Sequence, residues 1–251
     1  MSLKIVRKNL KKQIQQILRK FNIHFLYLLP GCLTNFDLDY DLTLVIPEKS
    51  PVCIDIGANK GQTIDKLITI FNSPYIYAFE PSTEVFKELH ETYSNSEIKI
   101  INVAMGSHEG KKEFINYRTP ELSSFLEFDK SRNVFRSQKE INREIVQVET
   151  IDNFLKKEKI DIVHLLKSDT QGYELEVLKG AINSLRDGKI KNILVELNFI
   201  PMYDKQANYQ EIIAFCEDLG FRLINFYEIV RKENENTIGW CTALFGKNQH
   251  K

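Results

Sequence analysis

The sequence predicts an α/β fold: a mostly parallel sheet closed by a C-terminal antiparallel hairpin and preceded by an N-terminal helical extension. Three observations point there. Short runs such as 52–56 and 75–79 are apolar almost throughout, as in strands covered on both faces. Helix-period stretches separate these runs. Near the C-terminus, 221–230 and 237–245 flank a polar turn at 232–236, which reads as a hairpin.

A chain of 251 residues suits one large α/β domain, or one domain with an extension. The 34 basic residues balance 34 acidic ones, so no global charge favours nucleic acid, and no nucleic-acid partner is expected. Cys32, Cys53, Cys216 and Cys241 lie far apart without a C-x-x-C pair, which fits a reducing compartment better than a disulfide framework or a zinc site. The histidines (His24, His90, His108, His164, His250) share no ligand spacing, so no metal residues are assigned. No run approaches the ~20 apolar residues of a membrane span. With no convincing secretory cleavage site, the expected location is cytoplasmic.

Taken in order, residues 1–20 carry seven Lys or Arg and no acid, with Leu3, Val6, Leu10, Ile14, Ile17 and Phe21 at helical spacing. Two readings stand: a helix laid on the domain or on a second subunit, or a peripheral contact with an anionic membrane surface or an acidic carrier. Pro30-Gly31 breaks the region, and 38–44 reads as a further helix. The chain then divides into an extension over 1–45 and a main domain over 46–251.

The stretch 51–67 is strand, glycine loop and helix, a ligand-binding βα unit. A dinucleotide loop wants G-x-G-x-x-G, but Asn59 occupies the place of the second glycine. Asp55 would repel a phosphate and suits an ammonium or sulfonium. The spacing Asp55, Gly57, Gly61, with Asn59 in the loop, therefore reads as a site for S-adenosyl-L-methionine. The second strand ends at Glu80-Pro81. Glu80 stands near the ~20-residue offset at which a carboxylate takes two ribose hydroxyls, and it could otherwise cap the helix at 83–93.

A third strand over 98–103 ends in Ala104-Met105-Gly106, placed to meet the adenine. Residues 111–128 read as an inserted hairpin or lid, with Arg118, Arg132 and Arg136 as anion-binding candidates or plain surface. A fourth strand is expected over 162–166. Lys167 and Asp169 then leave on one face at the carboxyl edge, where ligands bind in open α/β sheets. A fifth strand over 193–197 brings Glu196 to the same cleft, and a helix over 209–219 stops at Gly220. Five βα steps closed by a hairpin describe the seven-stranded class I methyltransferase (Rossmann-like) sheet better than a dinucleotide domain.

The motifs IDIGANKGQT (54–63), AFEPS (78–82), INVAMG (101–106), VETIDNFL (148–155), LLKSDTQGYELEVLKGA (165–181) and VELN (195–198) resemble the FkbM family of S-adenosylmethionine-dependent methyltransferases. The resemblance implies O-methylation of a hydroxyl, on a sugar or glycan or on a polyketide-like natural product. It also implies a cofactor site at Asp55, Gly57, Asn59, Gly61 and Glu80, with Asp169 near the transfer point. Gln171 stands where many members have Glu. Pro81 and Ala104 complete the expected cofactor contacts, and Asp169, Lys167 and Glu196 are the catalytic candidates. Asp169 and Glu196 could instead hold a divalent cation that acidifies the hydroxyl. Phe199, Tyr203, Tyr227 and Trp240 could stack on a sugar ring or be plain core. Alternatives to the enzyme are a non-catalytic S-adenosylmethionine-binding domain and a nicotinamide-dependent oxidoreductase. Nothing in the sequence sets the oligomeric state.

Overall fold

A computed structural model describes residues 37–93, 97–130, 138–231 and 237–247. The basic N-terminal stretch, Arg132, Arg136 and the turn 232–236 lie outside the described residues.

The main sheet has seven strands: β1 (Val52–Ile56), β2 (Tyr75–Phe79), β3 (Ile98–Ile101), β7 (Leu165–Ser168), β8 (Asn192–Asn198), β9 (Phe221–Arg231) and β10 (Ile238–Lys247). Their order is β3-β2-β1-β7-β8-β10-β9. The first five are parallel, and β10 runs antiparallel to both β8 and β9. The strand order reverses between β1 and β7, where an open parallel sheet leaves a crevice at its carboxyl edge.

Period-two alternation divides the sheet into two buried faces. Cys53, Ile76, Ala78, Leu165, Leu194 and Leu244 pack beneath α1 (Leu38–Val45), α2 (Gln62–Ile70) and α3 (Thr83–Thr92). Ile54, Ile56, Phe79, Leu166, Val195 and Phe245 pack beneath α4 (Ile151–Glu158), α5 (Glu174–Lys179), α6 (Ile182–Arg186) and α7 (Tyr209–Asp218). The compact unit runs over 37–251 and includes α1, whose Leu38 and Leu42 are core. Asp37 caps α1 by accepting from the Asp39 and Tyr40 N–H groups. Asp41 ties the helix to β9 by accepting from the Tyr227 hydroxyl.

Three expectations need correction. The fourth strand begins at Leu165 rather than at 162, because pairing with β1 starts at Cys53↔Leu165, and Ile162 ahead of it is exposed. Lys167 is therefore a strand residue. The third strand stops at Ile101, and Ala104–Met105 form β4 of a second sheet instead. The region 111–128 folds back on itself only through one antiparallel bridge, Ile115↔Ser124, and its main pairing lies elsewhere. β5 (Gly110–Tyr117) pairs antiparallel with β6 (Glu140–Glu149), and β4 joins the other edge of β6. Ala104, Phe114, Val146 and Val148 give this small sheet its own core, and Phe125 packs against it.

Candidate active site

A cavity of about 560 Å³ opens at the carboxyl ends of β1, β2, β7 and β8, within the range that small ligands fill. Its walls come from the glycine loop, the tip of β2, the turn after β7, the segment 119–123 and the hairpin residue Trp240.

The polar heart of the site follows from strand register. Asp55 and Lys167 are directly paired across β1 and β7. They stand on the face that otherwise carries Cys53 and Leu165. Glu196, two residues beyond Leu194, extends the same row on β8. Lys167 Nζ lies 2.9 Å from Asp55 Oδ1 and donates to the Gly57 carbonyl at 3.0 Å. The Asp55 contact is a buried ion pair. Asp169 Oδ2 is 4.0 Å from the same ammonium.

Negative charge exceeds positive here, and the titration shifts show it. Burial raises the Asp55 carboxyl, with Lys167 opposing. Burial also raises Glu196, reinforced by Asp169 and Glu174. Burial by itself would lower the Lys167 ammonium, but Asp55, Asp169 and Glu196 outweigh it and leave its pKa raised. A field of that sign favours a cationic ligand and disfavours a phosphate chain.

Glu80 joins the tip of β2 to the glycine loop. Its Oε1 accepts from Ser82 N–H and its Oε2 from Asn59 N–H, both at 2.9 Å. The helix-capping alternative is thereby met in part, since Ser82 is the N-cap of α3. Burial pushes the Glu80 carboxyl up to about 7 against those two donors. Each oxygen keeps a free lone pair for a hydroxyl. Asn59, at φ 47, lines the cavity with its Oδ1 buried and unpartnered. An orphaned acceptor and a diol-ready carboxylate on one wall fit a nucleoside.

Of the residues named from the sequence, Gly57, Asn59, Glu80, Pro81, Ala104, Lys167, Asp169 and Glu196 line the cavity, and Asp55 and Gly61 lie behind its wall. Asp55 is fully buried and paired with Lys167. Gly61 is bare because a Cβ there would meet the Tyr93 ring at 2.4 Å. Gly57 is required by a different neighbour: its Cβ would fall 1.9 Å from the Asp169 carbonyl oxygen, so the loops after β1 and β7 touch only because it has none. Arg118 is exposed and lies outside the cavity.

Sequence reasoning missed the partners that hold the turn after β7. Buried Glu174 accepts from Thr170 N–H, Thr170 Oγ1 and Gly172 N–H, and its carboxyl is pushed by burial up to about 7. The D-x-x-G-x-E spacing of 169–174 was the available signal. Of the aromatic candidates, Trp240 lines the cavity, Tyr203 is buried and stacks on Phe128 at 4.8 Å, Phe199 packs on Tyr209, and Tyr227 belongs to the core.

Solved structures of similar shape include an rRNA methylase from Streptococcus thermophilus (10% identity, 90% of this chain and 100% of that one, TM-score 0.46). Another is a TehB-like SAM-dependent methyltransferase from Corynebacterium glutamicum (9% identity, 97% and 99%, TM-score 0.42). A third is Aeropyrum pernix fibrillarin with natively bound S-adenosyl-L-methionine (14% identity, 81% and 73%, TM-score 0.42). At these scores nothing about the acceptor follows from them. No curated protein matches the chain. The model of the methyltransferase FkbM domain matches residues 55–223, more than half of the sequence. With that match, the chain belongs to the FkbM family and is an S-adenosylmethionine-dependent methyltransferase.

Proposed function

We propose that the enzyme methylates a hydroxyl oxygen on a sugar, glycan or polyketide-like acceptor. The observation that carries this reading is Asp169. Its side chain is 40% exposed toward the cavity, while Lys167 and Gln171 hold it from behind. It is the carboxylate best placed to receive a proton from an incoming group.

When bound, S-adenosylmethionine supplies an electrophilic methyl on a good leaving group. The residues of this chain then have to hold the acceptor in line, and positioning of this kind contributes ~7–11 kcal/mol. Glu80 and Asn59 would hold the ribose side of the cavity, with Pro81 and Ala104 beside the base. Gly57 and the row Asp55–Lys167 shape the floor beneath the reacting centre. A carboxylate is too weak a base to strip an alcohol outright, so Asp169 accepts the proton as the new bond forms. Lys167, 4.0 Å away, orients Asp169, and Glu196 holds the far side of the same cleft.

Met202, Trp240, Thr242 and Glu228 also line the cavity, an aromatic side chain and acceptors that would suit a polyhydroxylated ring. Its charged lining is Glu80, Glu121, Asp169, Glu196 and Glu228 against Lys66 and Lys167. Lys66 is itself paired with Glu228 at 2.9 Å. Such a wall repels a polyanion, which supports a small-molecule or glycan acceptor over nucleic acid. Leu38 of α1 lines the cavity wall, and the basic residues of 1–20 precede it in the sequence. That basic stretch is the proposed contact for a membrane surface or acidic carrier. None of the helices among the described residues is long and apolar enough to cross a membrane, and a cytoplasmic site of action is part of the proposal.

The test is methyl transfer from labelled S-adenosylmethionine to a panel of glycans and hydroxylated natural products, read by mass spectrometry. Asp169→Asn should bind the cofactor as the parent does and lose turnover. Full turnover by that variant, or methyl groups found only on nitrogen, would remove the reading.

A further inference from the structure

Asp169 and Glu196 are two carboxyl groups facing one cleft. With Glu174 they bring one carboxylate oxygen each within 4.8 Å of one another. Something must separate them. Three side chains supply positive character: Lys167 from β7, Asn198 at the end of β8, which donates to Glu196 Oε2 at 3.1 Å, and Gln171 from the turn after β7. Gln171 Nε2 donates to Asp169 Oδ1 at 2.8 Å and to Glu196 Oε2 at 3.3 Å. Both amide hydrogens are thereby used, one on each acid.

The amide is held on every side. Its Oε1 lies 3.2 Å from the Tyr203 hydroxyl, which shares its proton with the Leu122 carbonyl at 2.8 Å. Its backbone carbonyl accepts from buried Ser124 at 2.8 Å. The backbone itself is left-handed at φ 56, an uncommon conformation for glutamine, and Glu174 locks the turn around it. Turning the carboxamide over would set its oxygen against the Asp169 carboxylate and its nitrogen against the Tyr203 hydroxyl, so these neighbours favour the donor orientation.

We infer that Gln171 is a positioning residue whose amide stands where a bridging divalent cation would stand, making the Asp169–Glu196 pair independent of metal. The inference rests on the reading of Asp169 as proton acceptor. It concerns how that carboxylate is held, which is measurable without any acceptor. Asp169 keeps one oxygen on the amide and the other toward Lys167, so a single rotamer faces the cavity.

The test uses the full chain and Mn²⁺ as the probe, followed by calorimetry and by the manganese spin-resonance signal, with S-adenosylmethionine affinity measured alongside. Gln171→Glu removes both N–H donors and adds a carboxylate. It should bind Mn²⁺ at least ~10-fold more tightly than the parent, and Mn²⁺ should restore its lowered melting temperature. Gln171→Leu, which removes the donors without adding charge, should melt lower than the parent and gain no Mn²⁺ site. A merely structural glutamine would give neither the new site nor the cation rescue. Three results overturn the inference: parent protein that binds Mn²⁺ as tightly as Gln171→Glu, folded Gln171→Glu without Mn²⁺ binding, or Gln171→Leu that gains it. Should Gln171→Glu not fold even with Mn²⁺ present, the parent and Gln171→Leu titrations decide. Micromolar Mn²⁺ binding by either refutes the inference, and its absence from both, with the Leu variant melting lower, supports it. Because no methyl acceptor enters, failure here is separate from failure of Asp169→Asn to stop turnover.

Discussion

Replacing Lys167 by Met keeps most of the side-chain volume and removes the one buried cation of the cleft. Among the described residues Lys167 is the cation that balances Asp55, which is fully buried 2.9 Å from the ammonium. Breaking a buried pair from one side costs about 3–5 kcal/mol. For a domain of this size each kcal/mol moves the melting temperature by roughly 2–4 °C, so Lys167→Met should melt about 6–20 °C below the parent. The loss should depend on pH. Burial already raises the Asp55 pKa, and without the ammonium it rises further. The native variant then holds a proton on Asp55 that the unfolded chain has released, so its deficit is small near pH 5 and grows toward pH 8. Adding Asp55→Asn removes the stranded charge and should recover most of the loss. Thermal unfolding followed by circular dichroism at the two pH values reads all of this. An unchanged melting temperature in Lys167→Met, or a double variant no better than the single, would refute the ion-pair account.

Gly57→Ala and Gly188→Ala both place a side chain at left-handed backbone, which costs about 1–3 kcal/mol. Only the first meets an atom, at 1.9 Å, so it should lose clearly more stability by denaturant titration; equal losses would remove the loop-contact argument. Glu80→Gln keeps one oxygen and loses the charge. Charge-assisted hydrogen bonds of ~1.5–3 kcal/mol imply S-adenosylmethionine affinity lower by about 10–100-fold in calorimetry, and unaltered affinity would end the ribose assignment. The carboxyls of Glu80 and Glu174 are raised by burial from 4.5 to about 7 in the fold. Between those values the native state holds more protons than the unfolded chain, so stability falls as pH rises through the window. Cofactor-free protein should therefore melt higher at pH 5 than at pH 8, and the opposite trend would contradict these shifts.

Much of the site was legible because local chemistry sets it. Asp55, Lys167 and Glu196 are the polar members of otherwise apolar strands, and period-two spacing puts each on a face that must then pair it. Glu80 ends its strand at the edge where ligands bind. Gln171 was legible only as a departure from the family motif, because its partners arrive from 122–124, Glu196 and Tyr203, far away in sequence.

The sequence alone determined the parallel βα order, the closing hairpin and the acids at the strand tips, because strand periodicity and turn chemistry act over a few residues. The tertiary structure decided which of those residues face the ligand. Register paired Asp55 with Lys167 and so withdrew the first acid from the cavity, while the approach of the β7 loop gave Gly57 its reason. The second sheet, built from segments some thirty residues apart, also belongs to that level. Its pairing depends on contacts between distant segments, which hydropathy along the chain does not record.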